Sequence, residues 1–265
     1  MRVTSRDAEI FYEVLGDGPP VVLLHPFPVH HMFWLPAADF LTSRYRLIAP
    51  DLRGHGGSAP GDGPATMEKH ARDVARVLQS AGVDKAAFVG NSIGGYVLFE
   101  FWRRYPQRVA ALVLANTRAT PDTAEGRAAR LRSADLAEQQ GPQVLFDSMT
   151  PKAFGPSIYS TRPDKVDLAR KMMRKMSAQS QAAILRGMAS RPDSVPTLRT
   201  IQVPTLIVAG DEDQLTAMAE IETMHREISG SRLHVVPRAG HYAFFEQPEA
   251  AGRVLRNFLD SLNFG

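Results

Sequence analysis

Ala86-Ala87-Phe88-Val89-Gly90-Asn91-Ser92-Ile93-Gly94-Gly95-Tyr96-Val97 is an apolar, strand-like run that meets Gly-x-Ser-x-Gly and passes directly into a helical pattern. A serine at so tight a strand-to-helix turn takes a strained backbone, and its hydroxyl projects over the edge of the sheet. Gly90 and Gly94, two residues to either side of Ser92, let neighbouring backbone approach the turn without Cβ clashes. The N–H of Ile93, at the head of the helix, then faces the place where negative charge develops on a reacting carbonyl, and the helix dipole adds to it. A Gly/Ser-rich turn without chemistry fits the pentapeptide equally well, so the flanking chain has to decide between them.

Composition narrows the field. The 265 residues are 44% hydrophobic and 22% charged, enough to bury a large core. Lys+Arg number 31 against 28 Asp+Glu, a net +3 with no aromatic-interleaved basic run, so no nucleic-acid partner is expected. The absence of cysteine excludes disulfides, thiolate zinc sites and a cysteine nucleophile. No His/carboxylate spacing points to a metal, and neither a metal nor a cofactor is expected. Met1–Asp7 lacks the apolar core of a signal peptide, and no stretch is long enough to span a bilayer. The expectation is a soluble, cytoplasmic enzyme without membrane partners; oligomeric state has no signature in the chain.

Around the serine turn, strands and helices alternate. Ala8–Leu15, Val21–Leu24, Tyr45–Pro50, Val109–Ala115, Pro204–Gly210 and Arg232–Val236 read as further strands, several of them continuous apolar runs suited to burial on both faces. Helices are expected over His31–Leu41, from an N-cap at Thr66 to Ser80, over Ile93–Tyr105, Ala217–Ile228 and Pro248–Leu262. Between Thr120 and Val195 strand signals cease, and Ala-, Arg-, Gln- and Met-rich segments predict helices near Glu125–Gln140, Pro163–Met176 and Ala178–Ala189. This divides the chain into a core of residues 1–119 and 196–265 and a helical cap of residues 120–195. Strands separated by helices pair mostly in parallel, and ligands then bind beyond their carboxyl ends. His25, Ser92, Asp213 and His241 each follow a strand and converge there.

A serine hydroxyl needs an adjacent base, and His241, between Gly240 and Tyr242 after the last strand, is the best placed. A base needs an acid to fix its tautomer; Asp211, Glu212 and Asp213 all follow one strand, and Asp213 is favoured. The order Ser, Asp, His is the one this strand–turn–helix arrangement leads to. Besides Ile93, the second oxyanion donor is assigned to Phe27, because Pro26 and Pro28 have no N–H. His25, Pro28, Trp34, Met149, Met188 and Tyr242 are expected to line the substrate pocket. His30 and His31 read as a solvated loop, Arg53 and His55 as shapers of a turn, and Arg170, Lys171, Arg174 and Lys175 as a solvated helix face.

Five segments in this order, Leu23-Leu24-His25-Pro26-Phe27-Pro28, Asp51-Leu52-Arg53-Gly54-His55-Gly56-Gly57-Ser58, Gly90-Asn91-Ser92-Ile93-Gly94-Gly95, Leu206 to Asp213, and Gly240-His241-Tyr242 with Glu246-Gln247-Pro248, resemble the α/β-hydrolase superfamily over essentially the whole chain. The resemblance implies an α/β fold with a mostly parallel central sheet of about eight strands flanked by helices, the cap being inserted after the sixth. It also implies a Ser92-Asp213-His241 triad, since the family's acid is usually the last residue of Gly-x-x-Asp. His25-Pro26 departs from the family's usual His-Gly, so the oxyanion loop is stiffer here. Within the superfamily, the Ser92 segment resembles small carboxylesterases and 3-oxoadipate enol-lactonase-like proteins, which implies hydrolysis of a small ester or lactone. A proline at position 28 is associated in this superfamily with peracid formation from hydrogen peroxide. A C–C bond hydrolase of aromatic degradation and a triad-bearing ligand sensor are the other readings.

Overall fold

The computed structural model describes residues 1–262. Its strands are β1 (Arg2–Ser5), β2 (Ala8–Leu15), β3 (Pro20–Leu24), β4 (Arg46–Pro50), β5 (Ala86–Asn91), β6 (Val109–Ala115), β7 (Thr205–Gly210) and β8 (Arg232–Val236). They form one eight-stranded sheet in the order β1-β2-β4-β3-β5-β6-β7-β8. Strand β2 is antiparallel to β1 and β4, and the other neighbours are parallel. The apolar runs take the centre: β5 and β7 are buried at every residue, as strands covered by helices on both faces must be. The expected α/β-hydrolase architecture is thus the one observed. Strand β1 was not anticipated, because Arg2-Val3-Thr4-Ser5 is a short polar edge strand with β2 as its neighbour in the sheet.

Helix α1 is short (Leu35–Ala38) and follows a 3₁₀ turn over His31–Trp34. A single helix to Leu41 was expected; Pro36 has no N–H to give the Met32 carbonyl, so the α-helical turn starts at Leu35 with Pro36 in its first turn. Helix α2 (Met67–Ser80) starts at Thr66, whose side chain accepts the Lys69 N–H at 3.3 Å, and buries Ala71, Val74, Val77 and Leu78. Helix α3 (Ile93–Arg104) is buried over most of its surface, as its apolar sequence requires.

Between β6 and β7 the chain forms α4 (Ala124–Gln140), α5 (Gln143–Ala153), α6 (Ile158–Thr161), α7 (Pro163–Met173), α8 (Ala178–Ala189) and α9 (Val195–Leu198). Helices α5 and α6 were not anticipated. Gly141-Pro142 and Pro151 read as breaks, yet Pro142 stands just before α5 and Pro151 falls near its end. The chain closes with α10 (Met218–Glu227), α11 (Ala243–Glu246) and α12 (Pro248–Asp260). Among the described residues, no helix is long and apolar enough to cross a membrane.

Helix α8 is docked closely onto the sheet domain. The Ala65 N–H donates to the Ala183 carbonyl at 2.9 Å, and a Cβ on Gly187 would lie 1.9 Å from the Ala65 oxygen. Replacing a helical glycine by alanine ordinarily stabilises by about 1 kcal/mol. Here Gly187→Ala should instead lower the urea midpoint, because a fixed carbonyl occupies the new methyl's place; a raised midpoint would contradict this packing.

Behind the sheet's carboxyl edge lie His25, His30, His55 and His70, all buried. His30, expected on a solvated loop, is only 3% exposed. Its neighbour His31 is tied to Asp51 Oδ1 through both its N–H and its Nδ1, each at 2.7 Å. Burial, foremost among the causes, lowers His30 to about 4, His55 and His70 to about 3, and His25 well below the ordinary value. These rings are therefore neutral in the fold, whereas an unfolded histidine titrates near pH 6.5. Their contribution is fully present above that pH and is lost as pH falls from it towards the folded values, at about 1.4 kcal/mol per pH unit for each ring. Urea titrations at pH 7 and pH 5 should show a large loss of stability in acid, and His70→Leu should shrink that loss by about 2 kcal/mol. An undiminished loss in the variant would mean that His70 titrates normally in the fold.

Candidate active site

Ser92 sits between the end of β5 and the start of α3 with φ 55° and ψ −115°, a conformation that L-residues rarely adopt. Hydrogen bonds to its backbone hold it there. Its N–H donates to the Ala115 carbonyl at 3.0 Å, and its own carbonyl accepts the Gly95 N–H at 2.9 Å and the Thr117 hydroxyl at 2.8 Å. Strain of this kind persists only where the surroundings over-determine it. Gly94 permits the approach: a Cβ there would lie 2.3 Å from the Leu24 oxygen at the end of β3. The Ile93 N–H heads α3, where an intrahelical acceptor is lacking, so it is free to serve a ligand.

The three carboxylates after β7 separate cleanly. Asp211 accepts the Ala239 N–H at 3.2 Å, and Glu212 turns to the cap, where it accepts the Ser157 N–H at 2.9 Å and its hydroxyl. Asp213 faces His241, its Oδ2 and Oδ1 standing 2.9 and 3.1 Å from the ring Nδ1. Asp213 also accepts from Asn116 Nδ2 at 2.9 Å and from the N–H groups of Leu215 and Thr216 at 2.8 and 3.1 Å. Burial works to raise the Asp213 carboxyl, but the adjoining His241 and the hydrogen bonds from His241, Asn116 and Leu215 outweigh it and hold the group below the ordinary carboxylate value.

The loop that carries His241 is fixed by residues whose part was not anticipated. Asn91 Nδ2 donates to the His241 carbonyl at 3.1 Å, and Asn116 Nδ2 reaches the Gly240 carbonyl at 3.3 Å. The buried Glu246 carboxylate accepts the N–H groups of Gly155, Gly240 and Tyr242 at 2.9, 3.1 and 3.0 Å, bracketing His241 on both sides. Asn91 and Asn116 each stand where a central strand gives way to the loop or turn after it, which is the only trace of this role in the sequence.

The loop after β3 holds its own surprise. Leu52 N–H donates to His25 Nε2 at 2.9 Å, so that nitrogen is unprotonated, and the proton sits on Nδ1, which donates to the Pro26 carbonyl at 2.9 Å. The Phe27 N–H lies in the same peptide plane as that carbonyl and points the opposite way. On its other side, the Phe27 carbonyl accepts the Tyr242 hydroxyl at 3.0 Å. His25 and Tyr242 therefore brace the loop from behind and do not line the pocket as expected. Trp34 is likewise displaced from that expectation, packed 5.0 Å from Phe33 and 5.3 Å from Phe244 in the core. Pro28, joined to Phe27 by a cis peptide, is buried and also stands outside the lining.

A cavity of about 250 Å³ opens over Ser92, with Phe27, Tyr96 and His241 beside it. Of the expected pocket residues, Met149 and Met188 line it, projecting from the cap helices α5 and α8. Leu215, Thr216, Arg118 and Arg130 complete the wall. None of these four, nor Tyr96, carries a local signal in the sequence, because they reach the cavity from segments far apart in the chain. The sheet's carboxyl edge thus presents one strained serine and one aspartate-paired histidine to a small cavity that Phe27 also lines.

Comparison with known proteins agrees with this architecture. A family model described as the α/β-hydrolase fold matches residues 19–248. The chain is 26% identical to 3-oxoadipate enol-lactonase 2 of Acinetobacter baylyi over 98% of its own length and 97% of the relative's. It is 30% identical to the non-heme haloperoxidase of Rhodococcus erythropolis, covering 98% and 99% of the two chains. Among solved structures, the malate-bound thermophilic esterase of Thermogutta terrifontis superposes with a TM-score of 0.95 at 36% identity, over 98% and 97% of the chains. With its fold, its serine turn and its sequence all in agreement, this chain belongs to the α/β-hydrolase fold family.

Proposed function

We propose that the protein is a serine hydrolase of small carboxylic esters or lactones. The observation that carries the reading is the pairing of His241 with Asp213 beside a cavity that the strained Ser92 also faces. Similarity to an esterase and to an enol-lactonase supports the substrate class. In the reaction, Ser92 Oγ adds to the carbonyl carbon while His241 accepts its proton, and Asp213 at Nδ1 stabilises the imidazolium. The Phe27 and Ile93 N–H groups receive the oxyanion. Collapse breaks the C–O bond, and the alkoxide leaves with the proton from His241. Water, giving a proton to His241, then adds to the acyl-serine, and the acid departs as Ser92 recovers its proton. Hydrogen peroxide in place of water would yield a peracid from the same intermediate, the side reaction expected from Pro28 and supported by the similarity to a haloperoxidase.

The test is turnover of 4-nitrophenyl esters of increasing acyl length by the native protein and Ser92→Ala. The expected result is hydrolysis that the substitution abolishes, with a short optimal acyl chain; a peroxide-dependent product should disappear with it. Activity surviving in Ser92→Ala would overturn the assignment, and a native protein inert on every ester would point to C–C cleavage or ligand sensing. Tyr242→Phe offers a second check, because it frees the Phe27 carbonyl without touching the cavity wall. It should lower kcat roughly tenfold and leave KM nearly unchanged, a loosened donor costing less than the ~100-fold or more of a lost one. A raised KM at full kcat would place Tyr242 in binding instead.

A further inference from the structure

Three guanidinium groups converge on one carboxylate at the wall of the Ser92 cavity. Asp122, whose side chain is 3% exposed, receives Arg118 at 3.0 Å, Arg130 at 2.8 Å and Arg191 at 2.8 Å. Arg191 donates to the carbonyls of Met188 and Thr120 at 3.1 and 3.2 Å and lies 4.4 Å over the Tyr96 ring; its Nε is also buried without a partner, but Arg191 does not line the cavity. Arg118 and Arg130 are the two that reach the cavity. Neither is saturated. Arg118 Nε is buried without a hydrogen-bond partner, and Arg130 Nη1 has only the Met188 thioether at 3.7 Å, a weak acceptor. The other acid near Arg118, Glu220, accepts the Thr120 hydroxyl at 2.9 Å. Phe27, Met149, Met188 and Leu215 make much of the remaining lining apolar. A buried donor without a partner is costly, and an excess of positive charge beside an apolar cavity calls for an anion.

We propose that Arg118 and Arg130 dock a free carboxylate of the substrate, so that the preferred substrates are esters or lactones bearing an acid group remote from the scissile carbonyl. This rests on the reading of Ser92 as nucleophile and adds the chemical class. Both arginines present planar N–H pairs suited to a carboxylate. Asp122 holds them in place without neutralising both.

Monoethyl succinate and ethyl 4-methylpentanoate provide the test, the isopropyl group being a neutral isostere of the carboxylate. Native protein should show kcat/KM at least tenfold higher for the half-ester. In Arg118→Gln and Arg130→Gln the ratio of the two kcat/KM values should fall towards one, mainly through the KM of the half-ester. Taking the ratio within each variant removes any loss of folded protein, and Arg118→Lys, which keeps charge but not the planar pair, should restore it in part. Calorimetric titration with succinate gives a readout without turnover, and its Kd should weaken at least tenfold in either glutamine variant. A native ratio at or below one, or a ratio and a succinate Kd that ignore both substitutions, would overturn the proposal. Serine-dependent hydrolysis of the neutral ester with no preference for the half-ester removes the anion site and leaves the esterase reading standing. Succinate binding that depends on the arginines, with neither ester hydrolysed, does the reverse.

Discussion

The positive φ of Ser92 is the constraint around which the molecule is arranged. An L-residue does not stay at φ 55° unless its neighbours leave it no alternative. Those neighbours come from three strands: β5 delivers the residue, the Ala115 carbonyl at the end of β6 takes its N–H, and the end of β3 accepts the first turn of α3 against Gly94. The parallel centre of the sheet is thus a jig that aligns the carboxyl ends of the strands. The loops that leave those ends bring Phe27, Asp213 and His241 to the same edge.

Around that edge, buried polar side chains act on the backbone of the loops. His25 and Tyr242 grip the peptides on either side of Phe27, Glu246 collects three N–H groups around His241, and Asn91 and Asn116 tie its loop to β5 and β6. Each of these groups would be expensive to bury alone, and each makes a hydrogen bond to the backbone of a loop. The buried histidines near the Phe27 loop fill the core as aromatic rings, and of these His25 and His55 also bond loop peptides through ring nitrogens. The consequence is that the loops carrying Phe27 and His241 are held by several buried hydrogen bonds each.

The cap adds what the sheet does not have. Helices α4, α5 and α8 bring Arg130, Met149 and Met188 over the serine, and Gly187 lets α8 lie directly on the Ala65 segment. Arg130, Met149 and Met188, together with Arg118, give the cavity its guanidinium groups and much of its apolar wall.

The chain's sequence by itself determined the order of strands and helices, the serine turn and the identity of the three residues proposed to react. These features are written locally: in apolar runs of strand length, in a helix cap such as Thr66, and in glycines at fixed distances from Ser92. It also went astray locally, where Pro36 split a helix and where a polar edge strand, Arg2–Ser5, carried no apolar pattern. Only the tertiary structure decided which polar groups meet. Nothing near His25 in the sequence says that Leu52 will donate to its ring, nor does the stretch around Arg118 reveal that Asp122 must serve Arg130 and Arg191 as well. Hydrogen bonds at the site join residues 27 to 215 positions apart in the chain, and partnership at that range depends on how the elements pack, which no local pattern encodes.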